Sequence, residues 1–141
     1  YYNMKTSKLF NFLEWLDVAV NCEIDRLADF PTDKLRAELL SIKGIGPETA
    51  DDILLYALDR PVFVVDAYTL RIAYRHGWIP MDTNYQELAE TFSGPLEDGL
   101  ELFKNYHALI VEVGKTYCKK KKPLCDNCPG NPLLPEGGAY E

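Results

Sequence analysis

Apolar residues recur every three to four positions along most of this sequence, which is the spacing of one buried face of an α-helix. The first stripe predicts a helix over 4–20, with Asn3 placed to cap it. Later stripes predict a short helix after Thr32, helices over 49–58 and 67–74, one opened by Asn84 or Thr83, and one over 100–117. The predicted buried positions of the first, third and last helices are Leu9, Phe12, Leu13, Leu16, Ala19 and Val20; Ala50, Ile53, Leu54, Ala57 and Leu58; and Leu102, Phe103, Tyr106, Leu109, Ile110, Val113 and Tyr117.

Cap and turn residues separate these stripes. Asp66 is placed to cap the helix that follows it, and Gly77 to end that helix. The run "RPVFVVD" before Asp66 is rich in residues that favour strands, yet the pattern supplies no partner strand. We interpret it as a buried connector, and the whole pattern as that of an all-α protein.

A loop with two glycines, Gly44 and Gly46, joins the second and third predicted helices. Glycine adopts positive φ without a Cβ clash, so it permits a tight turn and a close approach of main chain to a ligand. The first N–H groups of the next helix lack partners inside the helix and lie at the positive end of its dipole. Such a loop can bind a phosphate of a nucleic-acid backbone, although a plain helix corner would hold the same glycines.

Composition narrows the possible partners only in part. With 141 residues, 47% of them hydrophobic, the chain suits one domain or a piece of one. Its net charge of −7 is unlike that of a general nucleic-acid binder, but Lys119, Lys120, Lys121 and Lys122 form a local basic run, either a solvated loop or a phosphate-binding patch. Neither a long apolar run nor a signal-peptide pattern is visible, so we expect a cytoplasmic, intracellular protein with no membrane partner.

Three segments in one order resemble a known family. "LLSIKGIGPETADDILLYAL" resembles the helix-hairpin-helix motif of DNA repair glycosylases, and "VFVVDAYTLRIAYRHG" resembles the segment that carries their catalytic aspartate. "YHALIVEVGKTYCKKKKPLCDNCP" resembles the last helix of endonuclease III and the start of its iron–sulfur loop. The chain is therefore similar, from about Tyr1 to Cys128, to the helix-hairpin-helix base-excision DNA glycosylase superfamily, and most to its endonuclease III branch.

The resemblance implies an all-α helix-hairpin-helix glycosylase fold, with the hairpin motif at 39–58 and a degenerate iron–sulfur-type loop at 118–134. Members of the family usually carry further helices before the segment that matches "YYNMKTSKLFNFLEWL", and those helices help to form the pocket for an extruded base. We therefore expect residues 1–141 to be the C-terminal part of such an enzyme, without its N-terminal helices. The first residue, Tyr1, also favours a fragment or a processed chain.

Two acidic residues match catalytic positions of the family. Asp66 matches the catalytic aspartate: a carboxylate stabilises the positive charge that develops on the sugar as the N-glycosidic bond breaks, and it can orient a water. Glu48 stands where bifunctional members have a lysine that forms a Schiff base, and a carboxylate cannot form an imine. The resemblance thus favours a monofunctional glycosylase, like members that remove alkylated bases such as 3-methyladenine. Structural roles remain open for both, Asp66 as a helix cap and Glu48 as a first-turn acid.

The resemblance also implies a partner, double-stranded DNA with a damaged base, bound by a monomeric protein. Arg71 is either a further phosphate contact or a surface charge. His107 matches a histidine of the related branch, and we interpret it as a packing residue. The implied DNA-binding residues are Lys43, Gly44, Ile45, Gly46 and Thr49 in the hairpin, and Lys119, Lys120, Lys121 and Lys122 in the later loop.

Three cysteines, Cys118, Cys125 and Cys128, have the spacing that begins the four-cysteine [4Fe–4S] loop of endonuclease III. The fourth cysteine would fall at position 134, which is Leu134. Four thiolates normally hold such a cluster, so a vestigial loop, three-cysteine ligation of a cluster and adventitious zinc all remain open. Cys22 is far away in sequence, and we expect it to be a buried thiol.

Three functions follow from these expectations. The first is hydrolysis of the N-glycosidic bond of a damaged base, without strand cleavage. The second is a bifunctional endonuclease III-type glycosylase and AP lyase, against which Glu48 argues. The third is a non-catalytic helix-hairpin-helix DNA-binding module, against which Asp66 argues, because binding alone does not need that carboxylate.

Overall fold

A computed structural model describes residues 2–96 and 99–141, with no description of the Tyr2 side chain. Tyr1, where the family resemblance begins, lies outside the described residues. Every regular element within those two ranges is helical, which confirms the predicted fold class. The α-helices are α1 (Tyr2–Val20), α2 (Thr32–Ser41), α3 (Pro47–Asp52), α4 (Ala67–Arg75), α5 (Tyr85–Ser93) and α6 (Leu100–Thr116).

The chain forms two compact units, Tyr1–Val62 and Phe63–Glu141. In the first unit, buried residues of α1, α2 and α3 meet in one apolar core. A 3₁₀ turn over Ile24–Asp29, which the sequence pattern did not predict, adds Leu27 to that core. Arg60 fastens this turn to the start of α2: its guanidinium donates to the carbonyls of Ala28 and Phe30 at 2.9 and 3.0 Å and to Thr32 Oγ1 at 3.1 Å.

The N-terminal half of α1 differs from the prediction. The helix begins at Tyr2, so Asn3 lies inside the helix and is not its cap. Leu16 and Val20 are buried as predicted, but Leu9 and Leu13 are 58% and 43% exposed. An apolar spacing shows which residues share a face, but it does not show how far along the helix that face is covered.

Cys22 was expected to be buried and is exposed. It lies in the turn after α1, with φ of +58°, and its Sγ is 3.7 Å from Asp17 Oδ1. The prediction was wrong because α1 ends at Val20, so the chain leaves the core before it reaches the thiol.

The third helix begins two residues earlier than predicted and then changes its winding. Pro47 occupies its first turn, where the missing N–H has no helical acceptor to lose. From Ile53 to Ala57 the chain forms a π-helical turn, with the amide of Leu58 bonded to the Ile53 carbonyl at 3.1 Å. This wider turn rotates the residues that follow, so Leu55 is buried and Ala57, a predicted core residue, is exposed.

In the second unit, the run before Asp66 has no regular structure, and Phe63, Val64 and Val65 are buried. The interpretation as a buried connector is therefore confirmed for residues 63–65, whereas Pro61 earlier in the run is exposed. Phe63 is the centre of an aromatic group, with its ring centroid 5.3 Å from that of Phe103 and 5.5 Å from that of Tyr106, both edge-on.

The buried face of α6 is rotated from the predicted one. Phe103, His107, Ile110 and Gly114 are buried, whereas Leu102 and Leu109 are largely exposed. These buried residues are themselves spaced by three and four positions. Phe103 and Ile110 belong to both the predicted and the observed face, whereas His107 and Gly114 were not predicted to be buried.

Among the described residues, no helix is both long and apolar enough to cross a membrane.

Candidate functional site

The hairpin loop of the first unit turns at Gly44, whose φ is +101°. A Cβ added there would lie 2.5 Å from Lys8 Cγ, so both the backbone conformation and the neighbouring side chain require glycine. Gly46 is different: its φ of −100° is open to any residue, and open space surrounds the position of a Cβ. The turn itself is closed by the amide of Ile45, which donates to the Ile42 carbonyl at 3.0 Å.

The hairpin residues named from the sequence lie together at this corner. Lys43, Glu48 and Thr49 are exposed, and Ile45 and Gly46 are half-buried. Glu48 lies in the first turn of α3, where the helix dipole favours a negative charge. The exposed placement therefore suits either role that the sequence left open for Glu48.

An ion pair that the sequence analysis missed joins the two helices of the hairpin. Arg36 on α2 donates to both carboxylate oxygens of Asp51 on α3, at 2.6 and 2.9 Å, and Asp51 is 1% exposed. Such a bidentate pair fixes both distance and orientation. The signal was present, since Asp51 shares its helical face with Leu54 and Leu55, three and four positions later.

In the second unit, Asp66 caps α4 in a reciprocal arrangement with Thr69. Asp66 Oδ1 accepts from the amide and the hydroxyl of Thr69, at 2.8 and 2.9 Å, and the amide of Asp66 donates to Thr69 Oγ1 at 3.2 Å. Thr69 is fully buried. The cap predicted from the sequence is thus present, and it uses one carboxylate oxygen.

The second oxygen of Asp66 faces a histidine. Asp66 Oδ2 lies 3.9 Å from His107 Nε2, and both side chains are 11% exposed. At this distance and burial a protonated imidazole would stabilise the carboxylate charge. The place of His107 on the buried face of α6 fits its interpretation as a packing residue. Helical spacing does not predict its approach to Asp66.

Helices α4 and α6 approach closely at Gly114, where a Cβ would lie 2.4 Å from Tyr68 Cδ1. The guanidinium of Arg71 lies over the Tyr68 ring, 5.0 Å from its centroid. It also donates to the carbonyls of Cys118 and Gly114, at 2.7 and 3.2 Å. Arg71 therefore caps the end of α6 and is not a simple surface charge, whereas the expected phosphate contact stays a prediction.

The three cysteines of the second unit line one small cavity, together with Leu134 and His76. The lining supplies three thiolates, and the apolar Leu134 stands where the fourth ligand of a [4Fe–4S] cluster would be. Among the residues that the structure describes, no three His, Cys, Asp or Glu side chains are grouped as metal ligands. The cysteines as placed do not fit a [4Fe–4S] cluster.

Contacts within the chain hold this loop. Arg75 on α4 donates to the carbonyls of Lys119 and Lys120, at 2.7 and 3.3 Å, and to Cys118 Sγ at 3.3 Å. The amide of Leu124 closes the loop on the Tyr117 carbonyl at 2.9 Å. Lys119, Lys120, Lys121 and Lys122 are all exposed on the closed loop.

Comparisons with known proteins agree with this architecture. A family model described as the helix-hairpin-helix motif matches residues 33–56. "Putative DNA repair glycosylase MJ1434" of Methanocaldococcus jannaschii is 52% identical over 130 residues, which are 92% of this chain and 59% of that protein. Endonuclease III of Sulfolobus acidocaldarius is 33% identical over 127 residues, 89% of this chain and 53% of that enzyme. The chain thus spans just over half the length of these two relatives.

Solved structures of endonuclease III bound to DNA are also similar to this chain. A trapped covalent endonuclease III–DNA intermediate matches with a TM-score of 0.64 and 29% identity, over 76% of this chain and 48% of that one. A non-covalent endonuclease III–DNA complex matches with the same TM-score and 27% identity, over 83% and 55%. Sequence identity, helical fold and hairpin motif point to one origin: the chain belongs to the helix-hairpin-helix DNA glycosylase superfamily, on its endonuclease III branch.

Proposed function

We propose that this chain is the part of a DNA glycosylase that carries the hairpin and the catalytic carboxylate, acting in base-excision repair on double-stranded DNA with a damaged base. The observation that carries the proposal is the placement of Asp66. One carboxylate oxygen is fixed by Thr69, and the other is turned toward His107 in a nearly buried site. The cap uses only Oδ1, so Oδ2 is left as an acceptor for chemistry.

In this proposal Asp66 acts on the sugar of a nucleotide that has been extruded from the helix. As the bond to the base breaks, positive charge develops on the sugar, and the Oδ2 of Asp66 stabilises it. The same oxygen can orient the attacking water and accept its proton. The fixed Oδ1 keeps the carboxylate from turning away, so less reorganisation is needed during the reaction.

The reaction is proposed to stop at base release. The family lysine that would form an imine with the sugar is Glu48 here, and the Glu48 side chain has no amine. Lys43, the nearest amine along the hairpin, is out of register with that lysine. It is better suited to a phosphate contact.

DNA is held through its backbone. The turn at Gly44, with Ile45, Gly46 and Thr49, exposes main chain at a corner where a phosphate can approach. The lysines at 119–122 add electrostatic attraction that does not depend on base sequence. We propose that the protein binds as a monomer in the cytoplasm and that no iron–sulfur cluster is required to hold the 118–128 loop.

Base release is the direct test, using the full-length natural protein and duplexes that carry one alkylated, one oxidised or one mismatched base. Release of at least one base above the rate without protein supports the proposal. Release of none, by protein that still binds these duplexes, would favour the non-catalytic module.

Borohydride trapping on the same substrates separates the two glycosylase types. Only an enzyme that forms an imine becomes covalently linked to DNA, so we expect base release without a trapped complex. A trapped complex would establish the bifunctional alternative, and its loss in Lys43→Met would identify the amine. Lys34→Met is the matched control, because it removes an exposed lysine to which the proposal assigns no DNA contact.

A further inference from the structure

The first helix contributes a side chain to the hairpin loop. The stem of Lys8 on α1 lies across Gly44: a Cβ added to Gly44 would be 2.5 Å from Lys8 Cγ, 3.2 Å from Cδ and 3.3 Å from Cε. The aliphatic stem therefore occupies the space that any other residue at position 44 would fill. The ammonium group is one bond beyond Cε, so it lies beside the turn.

A second contact from the same helix face fastens the loop. Asn11 Nδ2 donates to the carbonyl of Lys43 at 2.7 Å. Lys8 and Asn11 are three residues apart and so lie on one face of α1. Two consecutive loop residues, Lys43 and Gly44, are thus each held by α1.

This packing leaves the charge of Lys8 in solvent. Lys8 and Lys43 are both exposed, as is usual when a lysine packs its stem and keeps its ammonium in water. A stem that is already ordered loses less rotamer freedom when the ammonium meets an anion. Lys8 is therefore better prepared to bind an anion at the loop than a lysine with a mobile stem.

We propose that Lys8 binds a phosphate of the DNA backbone, so that α1 and the hairpin loop form one clamp on the strand. This inference rests on the proposed function, in which the hairpin binds DNA, and it extends the interface to a helix that the sequence analysis treated as packing only. The expected partner is the backbone of duplex DNA, read without regard to base sequence.

The salt dependence of binding tests this role. The plot of log Kobs against log salt has a negative slope, because each phosphate contact by a lysine releases counterions. Loss of one contact makes this slope shallower by about 0.9. We expect that change in Lys8→Met, measured on an undamaged duplex with the full-length protein. Met keeps the unbranched stem over Gly44 and removes only the charge, so the melting temperature should match that of the parent.

Two further variants complete the experiment. Lys8→Arg keeps the charge and should keep the parent's slope. Lys34→Met is the matched control: Lys34 is exposed in the first turn of α2, and the hairpin loop follows the opposite end of that helix, roughly 10 Å away along its axis. Its slope should also equal that of the parent.

The outcomes separate this inference from the function on which it rests. A parent that binds duplex DNA, together with a Lys8→Met variant of unchanged slope, overturns the clamp and leaves the proposed function standing. A parent without salt-dependent duplex binding overturns both. Should Lys8→Met fold poorly, Lys8→Gln gives the same reading, because it also removes the charge while keeping an unbranched stem.

Discussion

Two helices of the second unit begin with the same capping arrangement. Asp66 with Thr69 opens α4, and Asn84 with Glu87 opens α5. In both, a side-chain oxygen accepts from an amide three residues later, at 2.8 Å in α4 and 3.0 Å in α5, and that later side chain accepts from the capping residue's own amide. Locally the two arrangements are equivalent.

They differ in what surrounds the capping side chain. Asn84 is exposed, whereas Asp66 is nearly buried and turns its second oxygen toward His107 on α6. Asn84 ends in a neutral amide, whereas Asp66 has an acceptor left over after the cap is made. The comparison shows that a capping residue becomes a candidate for catalysis through its tertiary neighbours, and not through the cap itself.

The largest expected effect on base release comes from replacing the carboxylate of Asp66 by the amide that Asn84 carries. Asp66→Asn keeps a good cap but removes the charge, so base release should fall by about 100-fold or more. Asn84→Asp is the matched control, since it makes the reverse change at the equivalent position and should leave release unchanged. Both are measured as single-turnover rates, together with DNA binding and melting temperature.

The reverse pattern would break the comparison. If Asp66→Asn released bases at the parent's rate, Asp66 would be a cap like Asn84 and the catalytic proposal would fail. If Asp66→Asn lost DNA binding or folding, the slower release would not report on catalysis. The rate, the DNA affinity and the melting temperature are therefore all needed.

The caps at Asp66 and Asn84, and the buried connector before Asp66, could be predicted because their causes are local. A carboxylate or amide at the start of an apolar period bonds the helix that follows it, and the information lies within a few residues. The same reasoning gave the helix that starts after Asp66.

Longer-range features were missed for a physical reason. His107 approaches Asp66, and Arg71 caps α6, only because α4 and α6 pack together at Gly114, 48 residues after Asp66 in the sequence. The π-helical turn at Ile53–Ala57 is another such case, since a change in winding shifts the buried face without changing the apolar residues themselves. The spacing of the cysteines likewise predicted a loop, but not that Arg75 would hold it.

A smaller effect on the rate of base release is expected from changing His107, the residue that faces Asp66 and has no counterpart described at Asn84. His107→Ala should lower the single-turnover rate by about 10-fold, or about 1.4 kcal/mol of barrier, because Asp66 Oδ2 loses the group that faces it. DNA affinity should stay within twofold. A positioning role is supported if His107→Gln, which keeps an N–H donor, recovers part of the rate.

A purely structural role for His107 would give a different result. His107→Ala and His107→Gln would then lower the melting temperature and the fraction of active protein, while the rate per active molecule stayed at the parent's value. Active-site titration before the rate measurement separates these two cases.

The smallest expected effect, on stability and not on base release, comes from removing the exposed cap at Asn84. Asn84→Ala should lower the free energy of unfolding by about 1 kcal/mol, because the amide of Glu87 loses its acceptor, the side-chain oxygen of Asn84. Base release at a temperature well below the melting transition should not change. Denaturant unfolding followed by circular dichroism gives the first value, and the single-turnover assay the second. If Asn84→Ala slowed base release while still fully folded, α5 would contribute to catalysis through its capping box, and the distinction drawn between Asp66 and Asn84 would no longer hold.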